Sequence, residues 1–174
     1  MQLEHRRKIL IGIAGSVPAA CTVGLVFYFT GRLFHQVALP PDTPGDRLAF
    51  AARWMVLPGL SLLIGIVFAA RRGFYADAID GTRAFVNYAM EINLRYNTNT
   101  LEQALLAAIA WTALAVLVPV SSLVFIPAMA SLFFVGRMTF WIGYLIHPMG
   151  RAFGMALTML PILVSYAWLA SSAF

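Results

Sequence analysis

The chain has 174 residues, 61% of them hydrophobic and only 11% charged, a balance that excludes an ordinary soluble domain and points to an integral membrane protein. Lysine and arginine number 12 against 7 acidic residues, for a net charge of +5. In a soluble protein that excess would suggest nucleic acid. Here the basic residues stand beside apolar runs, so they read as topology signals and no nucleic-acid partner is expected.

A bilayer core about 30 Å thick takes about 20 apolar residues per helix, so uncharged runs mark the spans. The first covers residues 9–31, after the basic stretch HRRK at 5–8. It is longer than the apolar part of a signal peptide, and PAAC is a poor cleavage or lipidation site, so it reads as a retained anchor. Cys21, the lone cysteine, lies inside it, and an intrachain disulfide is excluded. A loop over 31–50 leads to a second span at 54–70, which ends at Arg71 and Arg72. By position these two and Arg83 read as interfacial anchors, and Asp77 and Asp80 in YADAIDGT as part of a solvated turn.

The uncharged stretch 103–136 is too long for one crossing, and Pro119 and Pro127 bracket a turn at VPVSSLVF. The third span therefore ends near Val118, and the fourth covers about 123–146. The fifth fills the chain from 152 onward, after the breaker HPMG. Trp54, Trp111 and Trp168 are expected in interfacial belts or packed towards lipid. The predicted fold is all-α, a membrane bundle in two parts: an N-terminal helix and outer loop (1–50), and a four-helix membrane domain (51–174). HRRK and the Arg71–Arg72 pair fall on one side, which the positive-inside rule makes cytoplasmic. That leaves the C-terminus outside, and sparse lysine is compatible with a bacterial inner membrane.

His5, His35 and His147 show no metal-ligand spacing, and the chain has no phosphate-binding loop, dinucleotide glycine motif or nucleophile elbow. The chemistry has to be sought where polarity enters the spans. In LRYNTNTLEQALLAAIAW, residues 94–111, a helix ending near Val118 puts Glu102 roughly 24 Å inward, close to the inner boundary of the bilayer core. At 100° per residue Glu91, Arg95, Asn99 and Glu102 share one stripe about 80° wide. These residues alone fit a solvated helix end equally well. Arg137 weighs against that reading, because it lies in the middle of the fourth span. An intramembrane arginine is costly facing lipid, so it should face the bundle interior and find a partner. Glu102 is at a compatible depth, Trp141 and Tyr144 share the Arg137 face, and Arg151 opens the fifth helix with Gly150 and Gly154 spaced for close helix contact.

LRYNTNTLE and GRMTFWIGYLIHPMGR together resemble the MAPEG family, small membrane proteins of eicosanoid and glutathione metabolism, over roughly residues 55–174. Arg95, Asn99 and Glu102 match the family's second-helix pattern, and Arg137, Tyr144 and Arg151 match its later one. The resemblance implies four core helices, a homotrimer, and glutathione as co-substrate, bound between subunits near the cytoplasmic side. It also implies a lipophilic small molecule as the second substrate, arriving from the membrane lipids. Arg71 or Arg72, with Arg95, Asn99, Glu102, Arg137 and Tyr144, would bind glutathione, and Arg151 would hold its sulfur as thiolate. Arginines suit the tripeptide's carboxylates and Glu102 suits its ammonium. Phe140 stands where relatives carry tyrosine or histidine, Leu106 replaces a common proline, and the first span has no place in a four-helix core. A glutathione-dependent transferase or peroxidase is thus one expectation, and a non-catalytic binding or scaffold protein another. A transporter fits less well, because the charges cluster on one side.

Overall fold

The computed structural model describes residues 2–74 and 88–173, apart from the side chains of 2–5, 7, 8, 72 and 173. Its helices are α1 (Gln2–Tyr28), α2 (Thr30–Leu33), α3 (Pro44–Trp54), α4 (Val56–Ala69), α5 (Tyr88–Leu117), α6 (Phe125–Ile146) and α7 (Ala152–Ala173), with 3₁₀ turns at Ala70–Phe74 and Val120–Val124. Among the described residues there is no strand. Five stretches are long and apolar enough to cross a membrane: Ile9–Tyr28, Pro44–Ala69, Tyr88–Leu117, Val120–Ile146 and Ala152–Ser172. The protein is an all-α membrane bundle with the five spans read from its sequence. Asp77, Asp80 and Arg83 lie outside the described residues.

The second span begins earlier than its apolar run. Thr43 is extended (φ −111, ψ 143), its hydroxyl accepts the Asp46 N–H, and Pro44 takes the first helical turn, where its missing N–H costs nothing. Met55 keeps right-handed helical angles and joins α3 to α4. The expected loop 31–50 therefore contains most of α2 and of α3, and the division after residue 50 falls inside α3. Arg47 explains how a charge is accommodated there. Its Nε donates to the Ala115 carbonyl at 2.6 Å, a second nitrogen donates to the Val118 carbonyl, and Nη1 pairs with Asp42 at 2.9 Å. A cation thus satisfies carbonyls that the end of α5 leaves without helical partners.

The closest helix pair is α6 with α7, and glycine is the reason. A Cβ on Gly154 would collide with the backbones of Phe140 and Gly136, and one on Gly143 with the backbone of Gly150. Without a hydrophobic drive between helices in lipid, such close approach supplies the packing. The apolar core groups Trp111, Leu114, Leu123, Ile126, Phe133 and Ile162. Trp111 is fully buried and meets Phe133 edge-on at 6.3 Å, so it is neither a belt nor a lipid-facing residue. It shares the inward face of α5 with Ala107, Ala110 and Leu114. Trp54 and Trp168 are half-buried against the same core.

The first span is seated on α7, where Gly12 approaches Met149 and Gly15 approaches Ala152 and Phe153. Chain order then brings the starts of α1, α5 and α7 and the ends of α4 and α6 to one end of the bundle.

Replacing Gly154 with leucine should destabilise the bundle by about 1–3 kcal/mol or more through overpacking. Gly24→Leu, at a position with nothing within 4 Å, should be near neutral. Denaturation by sodium dodecyl sulfate in mixed micelles measures both, and equal midpoints would contradict the packing described.

Candidate functional site

α5 carries two polar faces. The one turned into the bundle holds Asn93, Tyr96, Thr100 and Gln103, all buried. Asn93 and Asn97 both donate through Nδ2 to the Gly65 carbonyl of α4, at 3.1 and 3.2 Å, and the Tyr96 hydroxyl donates to the Ser61 carbonyl at 2.8 Å. Gly65 allows this, because a Cβ there would occupy the space of Asn97 and Tyr96. The opposite face holds Arg95 and Glu102, both exposed, and half-buried Glu91. Asn99 lies between the two faces.

Arg137 does face the interior and does find a partner, but the partner is not Glu102. Its side chain has no exposed surface. Nη1 donates to Asn99 Oδ1 at 2.8 Å and Nη2 donates to Thr158 Oγ1 at 2.6 Å. The Thr158 hydroxyl in turn donates to backbone carbonyls of Gly154 and Met155, so it can accept from the guanidinium. Phe140 and Phe133 present ring faces 4.6 and 5.7 Å from the guanidinium carbon, adding cation–π attraction. No carboxylate among the described residues pairs with Arg137, and its Nε has no protein partner. Glu102 projects from the far side of α5, which is why matching depth alone misassigned the pair.

At the bundle end a second group forms. Arg95 donates twice to Glu91 Oε1, at 2.6 and 3.1 Å. Both line a pocket of about 180 Å³ with Tyr88, Ile92, Tyr144 and Pro148. The Arg151 guanidinium lies 4.7 Å from the centre of the Tyr144 ring. Arg95 of α5, Tyr144 of α6 and Arg151, in the turn just before α7, are thus brought together, with Asn99 and Arg137 deeper in the bundle. Arg71 sits instead at the end of α4, stacked on Phe68 at 4.8 Å and donating to the Phe68 carbonyl. The side chain of Arg72 is outside the described set. Among the described residues no group of three His, Cys, Asp or Glu side chains could hold a metal ion.

Sequence reasoning missed Thr158, Gln103 and Arg47. A signal existed for Thr158, because it follows Gly150 and Gly154 at four-residue spacing, and Arg137 shares its face of α6 with Phe133, Phe140 and Tyr144. The small-residue stripe of α7 was therefore the place to look for its acceptor.

Helices of this length and apolarity, in this arrangement, define an integral membrane protein. The chain is 24% identical over 157 residues to Transmembrane protein 79 of Mus musculus, an alignment covering 86% of this chain. It spans only 39% of that protein's length. No family profile matches the chain, and no solved structure matches it.

The buried cation makes an asymmetric prediction. Asn99→Leu should destabilise by about 3–5 kcal/mol, because it strands a buried charge. Arg137→Met, which removes the charge and keeps apolar bulk, should cost less than Asn99→Leu. Unfolding midpoints of the two variants in the same detergent check the order, and the reverse order would refute it.

Proposed function

We propose that the protein is a glutathione-dependent membrane transferase or peroxidase acting on lipophilic electrophiles, a member of the MAPEG family that works as a homotrimer. The observation that carries this reading is the convergence of two separate sequence patterns at one bundle end, where Arg95 and Tyr144 share a pocket and Arg151 lies on the Tyr144 ring. Arg95 suits a carboxylate of the tripeptide, and Arg151 would hold the sulfur as thiolate, the nucleophilic form of a thiol. Asn99 and Arg137 would supply positive potential behind the site, with Arg71 and Arg72 as further candidates on the α4 side.

The outward face of α5 supports a site shared between subunits. Glu102 is exposed, with Leu101, Leu105, Leu106 and Ile109 exposed around it. An ionised carboxylate on an apolar surface at membrane depth is costly unless something meets it. A neighbouring subunit and the ammonium of glutathione would both do so. The basic runs HRRK and Arg71–Arg72 fall at the same bundle end as this group, which supports a cytoplasmic position for it under the positive-inside rule. We assign the N-terminus to the cytoplasm, the C-terminus to the outside, and the protein to a bacterial inner membrane.

One observation favours the second reading, a non-catalytic binding protein. Phe140 is buried over Arg137 and offers no hydroxyl or imidazole to a reacting group.

Glutathione titrated into purified protein, followed by thiolate absorbance, separates the readings. Wild type should develop the thiolate signal, and Arg151→Ala should bind glutathione but lose that signal, with turnover on electrophiles falling about 100-fold, the order seen on removing one stabilising group. Binding without a thiolate signal or turnover in wild type would favour the non-catalytic reading, and no binding would overturn both. Glu102→Lys should weaken glutathione binding at least about tenfold, or 1.4 kcal/mol.

A further inference from the structure

α1 does not lie flush on α7. Beyond the contacts at Gly12 and Gly15, an apolar groove of about 690 Å³ opens between the two helices, within the range of about 300–1,000 Å³ typical of small-molecule sites. Ile9, Ile13 and Val17 form one wall; Met155, Met159 and Leu160 form the other. The depth of the groove limits what can fill it. From Ile9 to Ala20 the α1 wall rises roughly 16 Å at 1.5 Å per residue, and one leaflet of a bilayer core about 30 Å thick is about 15 Å. The groove thus begins at the bundle end where α1 starts and stops near the bilayer midplane.

The charge at its mouth specifies the occupant further. Arg6 is exposed and precedes Ile9 by one helical turn. At 100° per residue Ile9, Ile13, Val17 and Ala20 all fall within about 60° of it, so the guanidinium crowns the stripe that lines the groove. Arg6, Arg7 and Lys8 outnumber Glu4 in this run. An apolar slot one leaflet deep with a cation at its mouth matches an amphiphile that carries its anion at the headgroup level.

We propose that the α1–α7 groove binds one acyl chain of an anionic phospholipid from the leaflet at the α1 N-terminal end, with the phosphate held at Arg6. The methionines suit this task, because their unbranched thioethers adapt to a chain of variable conformation. Small residues on both walls, Ser16 of α1 and Ala156 of α7, leave the room that the chain fills. The assignment is independent of the glutathione reading.

The test uses the full-length protein in vesicles of phosphatidylcholine and phosphatidylglycerol at three to one, with a trace of either lipid carrying a photoreactive diazirine on its acyl chain. Crosslinks should concentrate on peptides containing residues 9–20 and 149–160, with phosphatidylglycerol exceeding phosphatidylcholine about fivefold, the factor one basic residue near a membrane surface supplies. Arg6→Gln should abolish that preference while chain labelling persists. Ala156→Trp should remove groove labelling by both lipids, and Ser16→Phe does the same from the opposite wall if the first variant fails to fold. Labelling equally dense around exposed Leu60, Leu63 and Val67 of α4 would overturn the site. A preference unchanged in Arg6→Gln would overturn the headgroup assignment. Displacement of the label by an uncharged long-chain alkane, with no response to headgroup, would overturn the phospholipid in favour of a neutral lipophile.

Discussion

A fully buried guanidinium in a membrane bundle is the constraint around which the rest of the structure is arranged. Arg137 has no exposed surface and no carboxylate partner among the described residues. The low dielectric that makes such a charge expensive also strengthens each hydrogen bond it donates. Its partners therefore come from three directions: Asn99 from α5, Thr158 from α7, and the rings of Phe133 and Phe140 from its own helix. The glycines of α6 and α7 belong to the same solution. Gly136 is closely packed against the Thr158 methyl and the Gly154 carbonyl, and a wider separation would carry the Thr158 hydroxyl out of reach of Nη2. Close packing and charge satisfaction are one requirement here, met by the same turns of helix.

The two polar faces of α5 differ in what they meet. The inward face is largely occupied with hydrogen bonds to α4 that hold the bundle together, through Asn93, Tyr96 and Asn97. The outward face leaves Arg95 and Glu102 exposed. Asn99 belongs to both, since it is half-buried at the border and its carbonyl oxygen holds Arg137. A ligand meeting Arg95 and Glu102 on the outer face would therefore be one residue away from the interaction that organises the interior.

Much of this was legible in the sequence. The five spans follow from uncharged run lengths, and the interior position of Arg137 follows from the cost of the alternatives. The approach of Gly150 and Gly154 to α6 follows from their spacing. The failures have physical causes. Arg47 and Arg53 interrupt the run that marks the second span, because hydropathy cannot tell a charge bound to a helix terminus from one dissolved in a loop. Arg137 was matched to Glu102 by depth, whereas its partner had to be settled by direction around α5, where Glu102 points outward. Trp111 was assigned to the lipid or the interface on the habit of its residue type, and the periodicity of Ala107, Ala110 and Leu114 around it carried the better information.

α7 joins these threads, because its two sides serve different neighbours. Gly150, Gly154 and Thr158 fit α6, while Ala152, Ala156 and Met159 face α1 and the groove. Met155 belongs to both sides. It lines the groove, yet its sulfur accepts from Gln103 Nε2 at 3.0 Å and lies 3.9 Å from Arg137 Nη2. A single flexible thioether thus separates the apolar slot beside α1 from the buried cation. The first span forms the outer wall of that slot, through Ile9, Ile13 and Val17.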